Sequence, residues 1–163
     1  MLLWFAGASF LAVWLIFRDP AIDYRLVMAG AVLPDVVDGL VAGGPWVAHT
    51  LLFAVVLLVA VMGATHGRRL VRRRLLALPI GVFLHLVLDG AWLDSRVFWW
   101  PARGTSFPDN GLASFERGGF SVVLELVGLA ILVWAWRRFR LAEPERQRAF
   151  LRAGRLGRDL VDR

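Results

Sequence analysis

Six ionisable residues sit within otherwise apolar stretches of this 163-residue chain: Asp35, Asp38, His49, His85, Asp89 and Glu125. Asp35 and Asp38 are spaced i, i+3, and His85 and Asp89 are spaced i, i+4. On a helix each pair therefore shares a face. Imidazole mixed with carboxylate is a donor set for zinc, manganese or iron, with zinc the default for His with Asp. The chain has no Cys, so a thiolate site is excluded. Carboxylates packed together in a low dielectric repel one another or take up protons, and a dication relieves both problems. Water on such a metal becomes a nucleophile near neutral pH. Asp35, Asp38, His49, His85 and Asp89 are the candidate ligands. Asp35 or Glu125 is the candidate general base.

Those residues must be positioned by helices. Mean hydropathy is +0.62, and apolar stretches cover 1–17, 24–42, 46–63, 75–93 and 120–136. Each approaches the ~20 residues that a helix needs to cross the hydrocarbon. The expectation is an all-α, polytopic membrane helix bundle of about five transmembrane helices over 1–140. Pro34 suits a first helical turn, so the second helix is expected to break there and restart at Asp35. The first stretch lacks a basic leader region and reads as a retained span. The tight turn Gly43-Gly44-Pro45 makes the second and third helices antiparallel neighbours, which brings Asp38 and His49 to similar depth.

All 19 basic residues are Arg, and the net charge is +6. Such an excess can indicate nucleic acid, but here the Arg flank apolar stretches and form no folded basic face, so no nucleic-acid partner is expected. Arg18, Arg25, the run from Arg68 to Arg74 and the residues after Trp136 lie on one side. Arg96, Arg103 and Arg117 lie on the other. The positive-inside rule then puts the N-terminus outside and the C-terminus in the cytoplasm, in a bacterial inner membrane. In that frame all six ionisable residues fall in the outer half of the bilayer. They point to one polar cavity open to the external side. Membrane lipids are the first partners implied.

The connection 94–119 is long enough to be a binding element. It carries Trp99, Trp100 and Arg103, candidate substrate contacts, Arg103 suiting an anionic group such as phosphate. The alternative is an interfacial aromatic anchor followed by an ordinary loop. Residues 141–163 form a basic cytoplasmic tail. Phe150, Ala153, Leu156 and Leu160 make it amphipathic, fit either for the inner leaflet or for a cytoplasmic protein partner. Each candidate ligand also has a plain reading. Asp35 and Asp38 can flank a re-entrant turn, His49 can be interfacial, and His85 with Asp89 can tie two helices. Glu125 can be a protonated structural acid.

The order Leu33-Pro34-Asp35-Val36-Val37-Asp38, His49-Thr50, His85-Leu86-Val87-Leu88-Asp89 and Trp100-Pro101 resembles the YdjM-like family. That family is described as LexA-binding, inner-membrane-associated metal-dependent hydrolases, distantly similar to zinc-dependent phospholipase C. The resemblance covers roughly residues 26–101. It implies a metal site on Asp35, Asp38, His49, His85 and Asp89. This chain carries fewer imidazoles than the family pattern, with Gly39 where a His often follows the acidic pair. It also lacks a His in the first span and another shortly before His49. The expected function is hydrolysis of a phosphate ester or lipid-borne ester from the outer side. The competing readings are an ion or proton pathway through the same acids, and a scaffold subunit acting through the tail.

Overall fold

In the computed structural model, residues 1–107 and 118–157 are described, and all their regular structure is helical. Helix α1 spans Leu2–Phe17, α2 Tyr24–Val41, α3 Leu51–Ala64, α4 Arg69–Leu75 and α5 Ala77–Asp89. A short α6, Ser95–Phe98, precedes α7, Gly119–Arg138, and α8, Pro144–Ala153. The helix ends follow local chemistry. Thr50 caps α3 by accepting from the Phe53 amide at 3.1 Å, as an N-cap hydroxyl does. Gly90 ends α5 in the left-handed region at φ 73°, where glycine bears no Cβ penalty. Pro144 opens α8 at a position whose amide has no intrahelical partner.

The expected break at Pro34 does not occur. Helix α2 continues through the proline, which lies inside it. Proline removes one backbone bond and crowds the carbonyl four residues earlier, here Gly30. Neighbouring helices can satisfy the freed groups and keep such a helix whole. Gly30 is also where α5 comes closest: a Cβ on Gly30 would strike the Leu78 carbonyl, and one on Gly81 would strike that of Val27. Two facing glycines let the backbones of α2 and α5 nearly touch, which holds the two acid- and imidazole-bearing helices in fixed register.

Helices α1, α2 and α5 form the centre, with α3 packed on α5 and α7 packed on α1. The α1–α7 crossing uses the same device, because a Cβ on Gly7 would collide with Gly128. The flanking helices are thinly covered. Only Ala54 of α3, and only Gly128 and Ala135 of α7, are buried. Among the described residues, α7 alone qualifies by length and hydropathy to cross a membrane, while α1 and α3 are shorter apolar helices.

The end of the bundle that carries the arginines is closed by Phe10, Trp14, Tyr24, Phe139, Leu141 and Leu156 in one core cluster. The tail belongs to this core. Leu156 is buried and Phe150 packs against it, while Leu151 stays exposed. Leu160 lies outside the described residues, as do Asp109, Glu116 and Arg117 of the long connection. The Tyr24 amide donates to the Gly154 carbonyl at 3.1 Å, and the Leu156 amide to that of Pro20 at 3.0 Å. Asp23 sits beneath this junction, 1 % exposed. Its carboxylate accepts from Arg25 at 2.9 and 3.1 Å and from Arg74 at 2.8 Å. Burial alone would raise its pKa, but the two guanidiniums outweigh burial and hold it below the usual carboxylate range.

Candidate metal centre

At the opposite end, α2, the turn before α3, and α5 bring Asp35, His49 and His85 together. All three are buried, with relative exposures of 5 %, 2 % and 0 %. His49 sits not in α3 but in the 3-10 turn Val47–His49 just ahead of it. The side-chain separations are short. His49 Nε2 and His85 Nε2 lie 3.3 Å apart. Asp35 Oδ1 is 3.5 Å from the first and 3.7 Å from the second.

The far nitrogen of each ring is already committed. His49 Nδ1 lies 2.7 Å from Asp38 Oδ2, and His85 Nδ1 lies 2.7 Å from the Ala31 carbonyl oxygen. A carboxylate and a carbonyl can only accept, so both Nδ1 atoms carry the proton. In the neutral rings both Nε2 atoms then present lone pairs to each other and to a carboxylate oxygen. Two such lone pairs at 3.3 Å do not form a hydrogen bond; either a proton taken up by one ring or a cation between them removes the conflict. The distances suit a cation. Bonds of about 2.0–2.1 Å arranged tetrahedrally put neighbouring ligand atoms about 3.3 Å apart. The observed separations of 3.3, 3.5 and 3.7 Å are close to such edges. Three protein ligands with a fourth position open is also the catalytic rather than the structural pattern for zinc.

Asp38 was expected among the ligands, but the structure puts it behind His49. Its Oδ2 accepts from the Trp46 and His49 amides at 2.7 and 3.2 Å, and its Oδ1 from the Ala48 amide at 3.1 Å. With the His49 ring added, four donors hold it, three of them on Oδ2. The reason lies in the Gly43-Gly44-Pro45 turn, which aims the following amides back at α2. Asp38 therefore sets the tautomer and aim of His49, as outer carboxylates do for metal-binding imidazoles. The Ala31 carbonyl does the same for His85, and Phe5 packs on the His85 ring with centroids 4.1 Å apart.

The remaining candidates fall around the triad rather than in it. Asp89 ends α5 one turn beyond His85 and is 9 % exposed. Glu125, expected as a base, reaches α1 instead. Its Oε2 accepts from the Leu3 amide at 2.8 Å, and its Oε1 lies 3.6 Å from the Met1 nitrogen. That nitrogen is in turn 3.8 Å from Asp35 Oδ2. Trp99 is 47 % exposed, and Arg103 is exposed. Trp100 stacks on Phe107, and Phe107 meets Trp46 edge-on, so an aromatic cluster sits next to the turn that carries His49.

Residue types alone did not single out the Ala31 carbonyl. Pro34 leaves the carbonyl of Gly30, not that of Ala31, without its helical donor, so it gave no signal for this contact. No family model, curated protein or solved structure matches the chain.

Proposed function

We propose that this chain is a membrane-embedded, metal-dependent hydrolase acting on a phosphate ester or other lipid-borne ester from the outer side of a bacterial inner membrane. The observation that carries the reading is the convergence of His49 Nε2, His85 Nε2 and Asp35 Oδ1, with both Nδ1 atoms held by acceptors. Zinc is the metal best suited to two imidazoles and one carboxylate, with manganese and iron as alternatives. When bound, such a metal supplies an acidified water and polarises the ester or phosphoryl oxygen. Asp35, His49 and His85 hold it. Asp38 and the Ala31 carbonyl orient the rings. Asp89, one turn outward on the same face of α5, takes the proton that hydrolysis releases.

The polytopic part of the reading is supported by exposed apolar surface. Leu52, Val56 and Val59 of α3 and Phe120, Val123 and Leu126 of α7 are all exposed. Soluble monomers rarely show so continuous an apolar surface, whereas lipid tails cover one without cost. We place the arginine end at the cytoplasmic face on the positive-inside rule. Hydrolysis is favoured over an ion conduit by the packing below the triad, where Phe10, Trp14, Tyr24 and Phe139 fill the bundle. The YdjM-like resemblance over roughly residues 26–101 agrees with this reading.

The test is elemental analysis of detergent-purified protein. Wild type is expected to hold about one metal per chain, and His85→Ala is expected to hold none. The same samples are given phosphatidylglycerol vesicles, and released water-soluble phosphate ester is measured. Metal-free wild-type protein would sink the reading.

A further inference from the structure

A second feature of the bundle bears on what the site acts on. Between α1, α3 and α5 runs a groove of about 500 Å³, within the roughly 300–1,000 Å³ of ligand pockets. Every lining side chain is apolar, among them Val13, Phe17, Leu51, Val55, Pro79 and Phe83. One end starts at Leu51, two residues after His49 and directly after the Thr50 cap. The other end is at Phe17, at the arginine end of α1. Phe5 packs on His85, so Phe5 marks the depth of the triad. The groove lining covers 13–17 of α1, 51–58 of α3 and 79–84 of α5, a rise of about 6–11 Å on each helix. The groove is wholly apolar, and its walls at Leu84 and Leu51 are one residue from His85 and two from His49 in the chain, so its upper end adjoins the triad.

A head-to-tail molecule fits this arrangement. We infer that the groove seats one acyl chain of a membrane lipid whose ester-bearing head lies at the Asp35–His49–His85 triad. The inference rests on the hydrolase reading above and names its substrate class: a lipid that enters chain-down from the outer leaflet. An apolar wall offers a chain no advantage over surrounding lipid, since tails are as apolar as leucine. The groove therefore supplies position rather than affinity. It fixes the chain so that the ester stands at a set height. The polar head, meeting the triad, supplies the selectivity.

The depth order makes this testable. Full-length protein is placed in nanodiscs of phosphatidylethanolamine and phosphatidylglycerol that contain a phospholipid with a diazirine on one chain. In one preparation the diazirine is next to the ester, and in the other it is at the methyl end. After illumination the labelled residues are mapped by mass spectrometry, and metal content is measured on the same samples. The ester-side probe is expected to mark residues 51–55, and the methyl-end probe Ile16, Phe17 and Pro79. Both should exceed labelling of the exposed apolar face of α7 several-fold. Val55→Trp, at a half-exposed position, should abolish the excess while leaving metal content unchanged. Ile16→Trp, exposed at the foot of the groove, should remove only the methyl-end labels.

Labelling no stronger than on α7 would mean bulk lipid only and would overturn the proposal. The reverse depth order would mean a lipid from the inner leaflet, and cross-links between two copies would mean a protein occupant; either overturns it too. Metal present with disordered labels removes the groove assignment and leaves the hydrolase reading standing. Absence of metal removes the hydrolase reading itself, whatever the labels show.

Discussion

The two ends of the bundle each bury acids, but they balance them differently. At the arginine end, Asp23 is held by Arg25 and Arg74. A guanidinium does not give up its proton in proteins and has no lone pair to offer, so that cluster, one carboxylate against two guanidiniums, balances its acid without a metal and offers none a nitrogen ligand. At the other end, Asp35 and Asp38 face imidazoles and backbone amides. An imidazole can be neutral, and its free nitrogen can bind a metal. The contrast shows that burial of an acid does not mark a functional site by itself. What marks one is a partner that can let go.

Substitutions at matched acids sharpen this contrast. The largest effect is expected for Asp35→Asn. An amide is a poor replacement for a carboxylate ligand, so metal that survives dialysis should fall from about one per chain to none. Asp23→Asn should leave metal content unchanged and instead lower thermal stability. The cost is about 1–2 kcal/mol, less than for a fully buried pair because Arg74 is half exposed. If Asp23→Asn strips the metal as completely as Asp35→Asn does, the two ends are not separate and the comparison fails.

Asp38→Asn should fall between these extremes. Its one carbonyl oxygen can still accept from the Trp46 amide, but its NH2 then faces the Ala48 amide, and the charge facing His49 Nδ1 is lost. Metal affinity should drop about 10–100-fold, as for other outer-shell partners, and competition with a chelator measures it. A drop to zero would return Asp38 to the ligand set.

The smallest effect comes from pH. The folded-state pKa of Asp23 is depressed, so its contribution to stability is present above its unfolded value. That contribution is lost as pH falls through the lower folded value. Unfolding temperatures measured in detergent from about pH 5 down to about pH 2 should therefore decline for wild type. For Asp23→Asn the decline should be shallower. Equal slopes would show that the arginines do not stabilise the charged form.

Much of this was readable from spacing. The i, i+3 and i, i+4 pairs and the short Gly-Gly-Pro turn were enough to bring Asp38 to His49 and to place His85 on the inner face of α5. Spacing does not say which of two neighbouring acids is the ligand. That depends on where backbone amides point, and the 3-10 turn before α3 directs three of them at Asp38. Pro34 was misread because local preference favours a helix start, whereas packing through Gly30 and Gly81 holds α2 intact. The role of Glu125 was hidden for a similar reason. Its partner is the Leu3 amide, a backbone group 122 positions away that carries no side-chain signature. The tail, expected as an amphipathic segment for the inner leaflet or a protein partner, is tied down at Gly154, whose missing Cβ leaves room for the Asp23 carboxylate.

The crossing of Gly7 on Gly128 also orders events in time. The packing of α1 is complete only once α7 has been made, whereas Asp35, His49 and His85 all lie on elements that end by Asp89. Thirty residues separate Asp89 from Gly119, which is roughly 2–6 s of synthesis at 5–20 residues per second. During that interval the complete Asp35–His49–His85 set exists while the face of α1 that α7 covers is still bare.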